Sequence, residues 1–197
     1  MTSEQRPLPE APRALFLDRD DTLVRDAGYM SRPEQIELLP GVAEALRDVR
    51  AAGFGLYLVT NQSGINRGYY SLDDALACNR RLEELLGVGF DGVCIAPERP
   101  DEPSRYRKPS PAYLQERIAA DGLDPAASWM VGDKVSDLEC GLAAGVRAAL
   151  VARGSTGAPR EDAAAFAAAR GIPVFSSFPA FVRDLLSRIP DGPEQKN

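Results

Sequence analysis

Short apolar runs alternate with stretches of helical periodicity along the whole chain. The first run, Arg13–Asp18, predicts a strand, and Gly41–Ala52 predicts a helix with Val42, Ala45, Leu46 and Val49 on one face, ending at Gly53. A second strand is expected at Phe54–Thr60, then a helix from Ser71 to Leu86 with Ser71 as its cap and acids in its first turn. The pattern continues with a strand near Asp91–Ala96, a helix opened by Ser110 and Pro111 and running to Asp121, and a strand at Ser128–Gly132. A helix at Ser136–Ala144, a strand at Ala148–Val151, an Ala-rich surface helix at Arg160–Ala169, a short strand at Pro173–Phe175 and a closing helix at Pro179–Ile189 complete it. Such alternation predicts an α/β fold: a parallel sheet covered by helices on both faces, with ligands bound at the carboxyl ends of the strands.

Three of the predicted strands end abruptly in polar residues. In Phe16-Leu17-Asp18-Arg19-Asp20-Asp21-Thr22, the two-residue period of extended backbone points Asp18 and Asp20 into one site and sends Arg19 and Asp21 elsewhere. Carboxylates held that close repel, and a divalent cation or a shared proton relieves them. Taken alone, the stretch equally fits a strand followed by a solvated acidic turn. The second strand ends in Thr60-Asn61-Gln62-Ser63-Gly64, Arg107-Lys108-Pro109 sets two cations before a helix, and Gly132-Asp133-Lys134 with Asp137 ends another strand in acids.

In this order, Asp-x-Asp-x-Thr, the strand-terminal Thr, Lys-Pro and Gly-Asp-x-x-x-Asp resemble the four motifs of the haloacid dehalogenase (HAD) superfamily of phosphohydrolases. The resemblance implies a Rossmann-like three-layer α/β/α core and a covalent mechanism. Asp18 would be the nucleophile, forming an aspartyl phosphate. Asp20 would protonate the leaving alcohol and later deprotonate the attacking water, its backbone carbonyl ligating the metal. Asp18, Asp20 and Asp133 would hold Mg²⁺, and Asp137 would hold a metal-bound water, orient Lys134, or simply cap a helix. Thr60 and the Asn61 amide would donate to the phosphoryl group and Lys108 would neutralise it. Gln62, Ser63, Arg67, Arg107 and Lys134 are the expected substrate contacts. Asp21, where relatives often carry Gly, reads as a tolerated departure, and Thr22 as a turn residue bonding the loop.

The intervals from Asp18 to Thr60 and from Thr60 to Lys108 are filled by the elements already assigned, which leaves no room for a cap domain. The substrate must then be read by the loops Asp26–Pro33, Gln62–Tyr70 and Glu98–Arg107. Over residues 14–157 the chain resembles the capless heptose-1,7-bisphosphate 7-phosphatase family in Gly28-Tyr29, Leu39-Pro40-Gly41-Val42, Thr60-Asn61-Gln62-Ser63-Gly64-Ile65, Arg67-Gly68 and Arg107-Lys108-Pro109. Histidinol-phosphate phosphatases are the nearest cousins, and both imply a small phosphorylated metabolite as substrate. These families typically carry a Cys/His zinc loop. The corresponding stretch here, Ala96 to Tyr106, lacks those ligands in a chain with no histidine, so no structural zinc is expected and Pro97, Pro100 and Pro103 are expected to set the loop's shape.

The 197 residues suit one domain, expected over 13–189 between a frayed segment 1–12 and a frayed tail 190–197. The net charge of −6 and the lack of a basic stripe exclude nucleic acid as a partner. No run approaches membrane-spanning length and Met1–Pro12 lacks an export-signal core, which predicts a cytoplasmic protein, expected to be monomeric and to keep Cys78, Cys94 and Cys140 as buried thiols. A non-catalytic phospho-binding scaffold is the rival reading; Asp20 beside Asp18 is the feature that argues against it.

Overall fold

The computed structural model describes residues 12–189. Of the segments expected to fray, 1–12 and 190–197, all but Pro12 lie outside the described residues. Six parallel strands form one sheet: β1 (Arg13–Leu17), β2 (Phe54–Asn61), β3 (Gly92–Ala96), β4 (Trp129–Gly132), β5 (Arg147–Val151) and β6 (Val174–Phe175), in the order β3-β2-β1-β4-β5-β6. The helices are α1 (Val42–Ala51), α2 (Leu72–Leu86), α3 (Ala112–Asp121), α4 (Val135–Ala144), α5 (Glu161–Arg170) and α6 (Phe178–Ser187). This is the Rossmann-like α/β architecture expected from the alternation.

β1 shows why the sequence folds this way. Ala14, Leu15, Phe16 and Leu17 are all fully buried, because a central parallel strand is covered on both faces. Leu15 and Leu17 join Leu56, Leu58 and Val131 under α1, α2 and α6, whereas Phe16 joins Tyr57, Val59 and Met130 under α3 and α4. A third cluster, Leu138, Ala148 and Leu150, packs on Ala163 and Ala167 of α5. The Ala-rich helix is therefore more than the surface helix expected: its alanines at four-residue spacing are fully buried, and their small side chains let the helix lie close to β5. Ser71 caps α2 as predicted, its hydroxyl accepting from the Asp74 amide while Asp74 accepts from the Ser71 amide.

The sheet order carries the functional consequence. β1 lies between β2 and β4, with Leu17 level with Leu58 and Val131, so the residues just beyond these strands meet at one edge. Chain connections leave β1 and β4 in opposite directions there, which opens the crevice where sheets of this type bind ligands. Among the described residues no helix is long and apolar enough to cross a membrane.

Candidate active site

The strand ladder ends at Asp18, whose amide still donates to the Val131 carbonyl at 3.0 Å. Beyond it the backbone turns sharply: the Arg19 carbonyl accepts from Leu23 and Val24, and Asp21 adopts a left-handed φ of 62°. Asp18 is 3% exposed. Its Oδ1 accepts from Lys108 Nζ at 2.6 Å, and Lys134 Nζ lies 3.6 Å from Oδ2. Burial would raise the Asp18 carboxyl, but the two ammonium groups outweigh it and hold the group below the ordinary carboxylate range. It is thus an anion at neutral pH, set at the end of a rigid strand.

Lys108 is itself buried, and its ammonium meets Asp18, the Val59 carbonyl at 2.8 Å and Asp137 Oδ1 at 2.7 Å. Burial alone would favour the neutral amine; Asp137 and Asp18 reverse that and keep the lysine protonated. Asn61 fixes the lysine's backbone by a reciprocal pair, its Nδ2 donating to the Lys108 carbonyl at 3.1 Å and its Oδ1 accepting from the Lys108 amide at 3.0 Å.

Asp20 is held on its other side. Arg19, fully buried, turns back to donate from Nε and Nη2 to the two Asp20 oxygens at 2.8 and 3.2 Å, with Nη1 anchored on Asn79 Oδ1 at 3.1 Å. Gln62 Nε2 lies 2.9 Å from Asp20 Oδ2 and 2.7 Å from Thr60 Oγ1, while Gln62 Oε1 accepts from the Tyr70 hydroxyl at 2.6 Å. The tyrosine fixes which end of the amide faces Asp20.

Across the crevice, Asp133 and Asp137 are fully buried. Arg160 Nε donates to Asp133 Oδ2 at 2.9 Å, and Lys134 Nζ lies 3.2 Å from Asp133 Oδ1. Burial and the Asp18 charge push the Asp133 carboxyl up to about 6. Ligand oxygens of Asp18, Asp133 and Asp137 all lie within 4.8 Å of one another, and Asp18 Oδ2 and Asp133 Oδ1 are buried without a hydrogen-bond partner. Hard anionic oxygens, orphaned and converging, fit a small divalent cation.

Two cavities open on these groups and share Asp20, Asn61 and Lys134. The larger, about 440 Å³, is bounded by Pro100, Glu102, Ser104 and Arg107. The smaller, about 220 Å³, is bounded by Asp26, Gly28, Tyr29, Ser63 and Tyr70. All three expected recognition loops therefore line the site. The first two touch through the edge-on rings of Tyr29 and Tyr69, 4.7 Å apart. Gly64 makes room beneath them, since a Cβ there would fall 2.2 Å from the Tyr70 ring and 2.8 Å from that of Tyr29.

Residues 105–178 match the HAD-hydrolase-like family model. The D-glycero-beta-D-manno-heptose-1,7-bisphosphate 7-phosphatase of Pasteurella multocida is 39% identical over 156 residues, covering 75% of this chain and 84% of that protein. The D-glycero-alpha-D-manno-heptose-1,7-bisphosphate 7-phosphatase of Burkholderia mallei is 39% identical over 149 residues, covering 71% and 79%. The solved structure of D,D-heptose 1,7-bisphosphate phosphatase from B. bronchiseptica, complexed with magnesium and phosphate, superposes with a TM-score of 0.79 at 26% identity, covering 90% of this chain and 99% of that one. The chain belongs to the heptose-bisphosphate phosphatase family of HAD-like hydrolases.

Membership makes this chain a phosphatase, and the four motifs do meet at the crevice. Several details differ from the sequence expectations. Asp137 joins Asp18 and Asp133 as the third converging carboxylate, while the side chain of Asp20, a residue expected to ligate the metal only through its backbone carbonyl, is turned toward Arg19 and Gln62. Asp137 takes one of the roles left open for it, capping α4 through the Lys134 amide at 3.0 Å, and in addition pairs with the Lys108 ammonium at 2.7 Å. Gln62, expected at the substrate, lines the smaller cavity while its amide is engaged by Asp20, Thr60 and Tyr70. Arg19 does not point away from Asp20 but grips it. The Thr22 hydroxyl, expected to bond its loop, is buried without a hydrogen-bond partner. Arg107 lines the larger cavity, whereas Arg67 is exposed and borders neither. The loop from Ala96 to Tyr106 is shaped by more than its prolines: Glu102 accepts from the Arg99 amide at 2.7 Å and from Asn66 Nδ2 at 2.9 Å, and Ser104 Oγ accepts from the Arg107 amide at 3.0 Å. Cys78, Cys94 and Cys140 are buried free thiols, as expected. Arg160 had no signal in the sequence, because no motif contains it and only the fold brings it to Asp133.

Proposed function

We propose that this phosphatase removes the 7-phosphate of a D-glycero-D-manno-heptose 1,7-bisphosphate through a phosphoaspartate on Asp18. The observation that carries the reading is a buried, ionised Asp18 between two ammonium groups at the floor of a cavity open to solvent. Asp18 Oδ attacks phosphorus while the bond to the sugar oxygen breaks, and Asp20 delivers the proton that the departing alkoxide needs. Water then attacks the phosphoaspartate, giving its proton to Asp20 and returning Asp18 as a free carboxylate. Lys108 and Lys134 offset the phosphoryl charge throughout, and Thr60 and the Asn61 amide donate to its oxygens. Gln62 and Arg19 keep Asp20 in place, and Gln62 also lines the smaller cavity.

Asp18, Asp133 and the Asp20 carbonyl are the ligands we assign to Mg²⁺. Bound there, the ion would act as a Lewis acid on the phosphoryl oxygens and relieve the repulsion among the carboxylates. The hardness of the oxygen donors and the magnesium in the related structure support that choice. We also read the protein as free of structural zinc. In the Ala96–Tyr106 loop Glu102 is engaged by Asn66 and Arg99, no histidine is present, and the three thiols are buried in α2, β3 and α4.

The non-reacting phosphate would lie in the larger cavity toward Arg107, whose Nη1 donates to the Glu98 carbonyl at 2.8 Å and so holds the guanidinium at the rim. The test is phosphate release with Mg²⁺ from heptose bisphosphate, histidinol phosphate and simple sugar monophosphates, in wild type and Arg107→Ala. A dominant kcat/KM for heptose bisphosphate, with a rise in KM for it in the variant that the monophosphates do not share, is the expected result. Preference for histidinol phosphate, or equal effects of the variant on all substrates, would overturn the assignment.

A further inference from the structure

Asp133 is bonded unequally. Its Oδ1 is buried without a hydrogen-bond partner, with the Lys134 ammonium 3.2 Å away, while its Oδ2 accepts from Arg160 at 2.9 Å. A carboxylate that offers one oxygen to a cation needs something to hold the other, or it can rotate out of register.

Arg160 is well built for that task and comes from outside the motifs. Its guanidinium is always charged, and its charge-assisted Nε–H bond to Oδ2 at 2.9 Å restrains how that carboxylate can turn. The residue stands just before α5, at the end of the loop that leaves β5. That loop is fastened to the strand-end turn of β1. Ser155 donates to both Asp21 oxygens, from its amide at 3.0 Å and its hydroxyl at 2.9 Å, and the Gly154 amide donates to the Asp21 carbonyl at 3.0 Å. Asp21 holds a left-handed backbone where a glycine would be unstrained, and has a structural return: a glycine could supply the turn but not the two side-chain bonds.

We propose that Arg160 is a positioning residue for the metal ligand Asp133, carried to it by a loop that Asp21 clasps to the nucleophile's own turn. The inference rests on the assignment of a divalent cation to Asp18 and Asp133, and adds the group that orients one of those ligands. Loss of such outer partners commonly weakens metal affinity by about 10- to 100-fold.

Mn²⁺, followed by its electron paramagnetic resonance signal, is titrated into chelator-stripped full-length protein in the absence of substrate. Wild type is compared with Arg160→Ala, with Arg160→Gln, which keeps a donor without the charge, and with Ser155→Ala, which touches neither Asp133 nor the ion. The expected result is binding at least about 10-fold weaker in Arg160→Ala, partial recovery in Arg160→Gln, and a smaller loss in Ser155→Ala. Unchanged affinity in Arg160→Ala would reduce the pair to a surface ion pair, and tighter binding would make the guanidinium a mere competitor; either overturns the proposal. Unchanged affinity in Ser155→Ala would overturn the clasp. Wild type that binds no Mn²⁺ would instead overturn the metal assignment itself, which separates the two readings without recourse to activity.

Discussion

The ends of β1 and β4 are neighbours in the sheet and both finish in acids, yet Asp20 beyond β1 is held quite differently from Asp133 beyond β4. At β1, Asp20 has donors on both oxygens from Arg19 and a further one from Gln62, whereas Asp18 has Lys108 on Oδ1 and leaves Oδ2 without a hydrogen-bond partner. At β4, Asp133 is more deeply buried and keeps an oxygen with no hydrogen-bond partner. The difference separates two kinds of work. The group that must move a proton, Asp20, is fixed by protein donors in a defined pose; the groups assigned to the cation, Asp18 and Asp133, each keep an oxygen without a hydrogen-bond donor, at a cost in desolvation that the cation later offsets.

Asp18→Asn should break the β1 side most completely. It removes the nucleophile and one anion but keeps the shape, so phosphate release should fall by at least about 10⁴-fold while circular dichroism stays that of the wild type. Retained turnover would mean that water attacks the substrate directly. Asp20→Asn should come next, with kcat lowered by about 10²- to 10⁴-fold and KM little changed, measured at saturating Mg²⁺. A wild-type kcat would show that another group carries the proton.

Gly132→Ala probes the link between the two ends. A Cβ there would fall 2.2 Å from Asp137 Oδ2, so Asp137 must shift and Lys108 loses its rigid partner. Overpacking of this kind costs about 1–3 kcal/mol, and the thermal midpoint should fall together with kcat. An unchanged melt and rate would show that Asp137 moves freely and is not what orients Lys108.

The smallest effect should come from Asp133→Asn in metal-free protein. Burial and the Asp18 charge raise Asp133 from its ordinary value to about 6, so its ionisation destabilises the folded chain as pH rises through that window. The variant lacks this penalty. Its melting temperature relative to wild type should therefore be higher at pH 7.5 than at pH 5, and a difference independent of pH would contradict the buried-carboxylate account.

What was legible in the sequence were the features that a strand end makes local. Asp18, Thr60 and Asp133 terminate apolar runs, and alternation of strand and helix suffices to bring such termini to one edge. The two-residue rule failed one step later, at Arg19, because the ladder ends with β1 and the backbone turns, letting the guanidinium fold back onto its neighbour. Asp21 looked like a tolerated substitution since its partner Ser155 lies 134 positions away. Arg160 and Asp133 are separated by 27 positions, with β5 and a loop between, and no periodicity encodes such a meeting.

The tyrosine contact over Gly64 has a bearing on how this enzyme could be re-engineered. Tyr29 and Tyr69 sit on separate loops, and Gly64 leaves space for Tyr29 and Tyr70 together. A library that varies only one loop inherits the other's ring, and a side chain at position 64 collides with both walls of the smaller cavity. The Asp26–Pro33 and Gln62–Tyr70 loops are best exchanged as one cassette with the glycine retained.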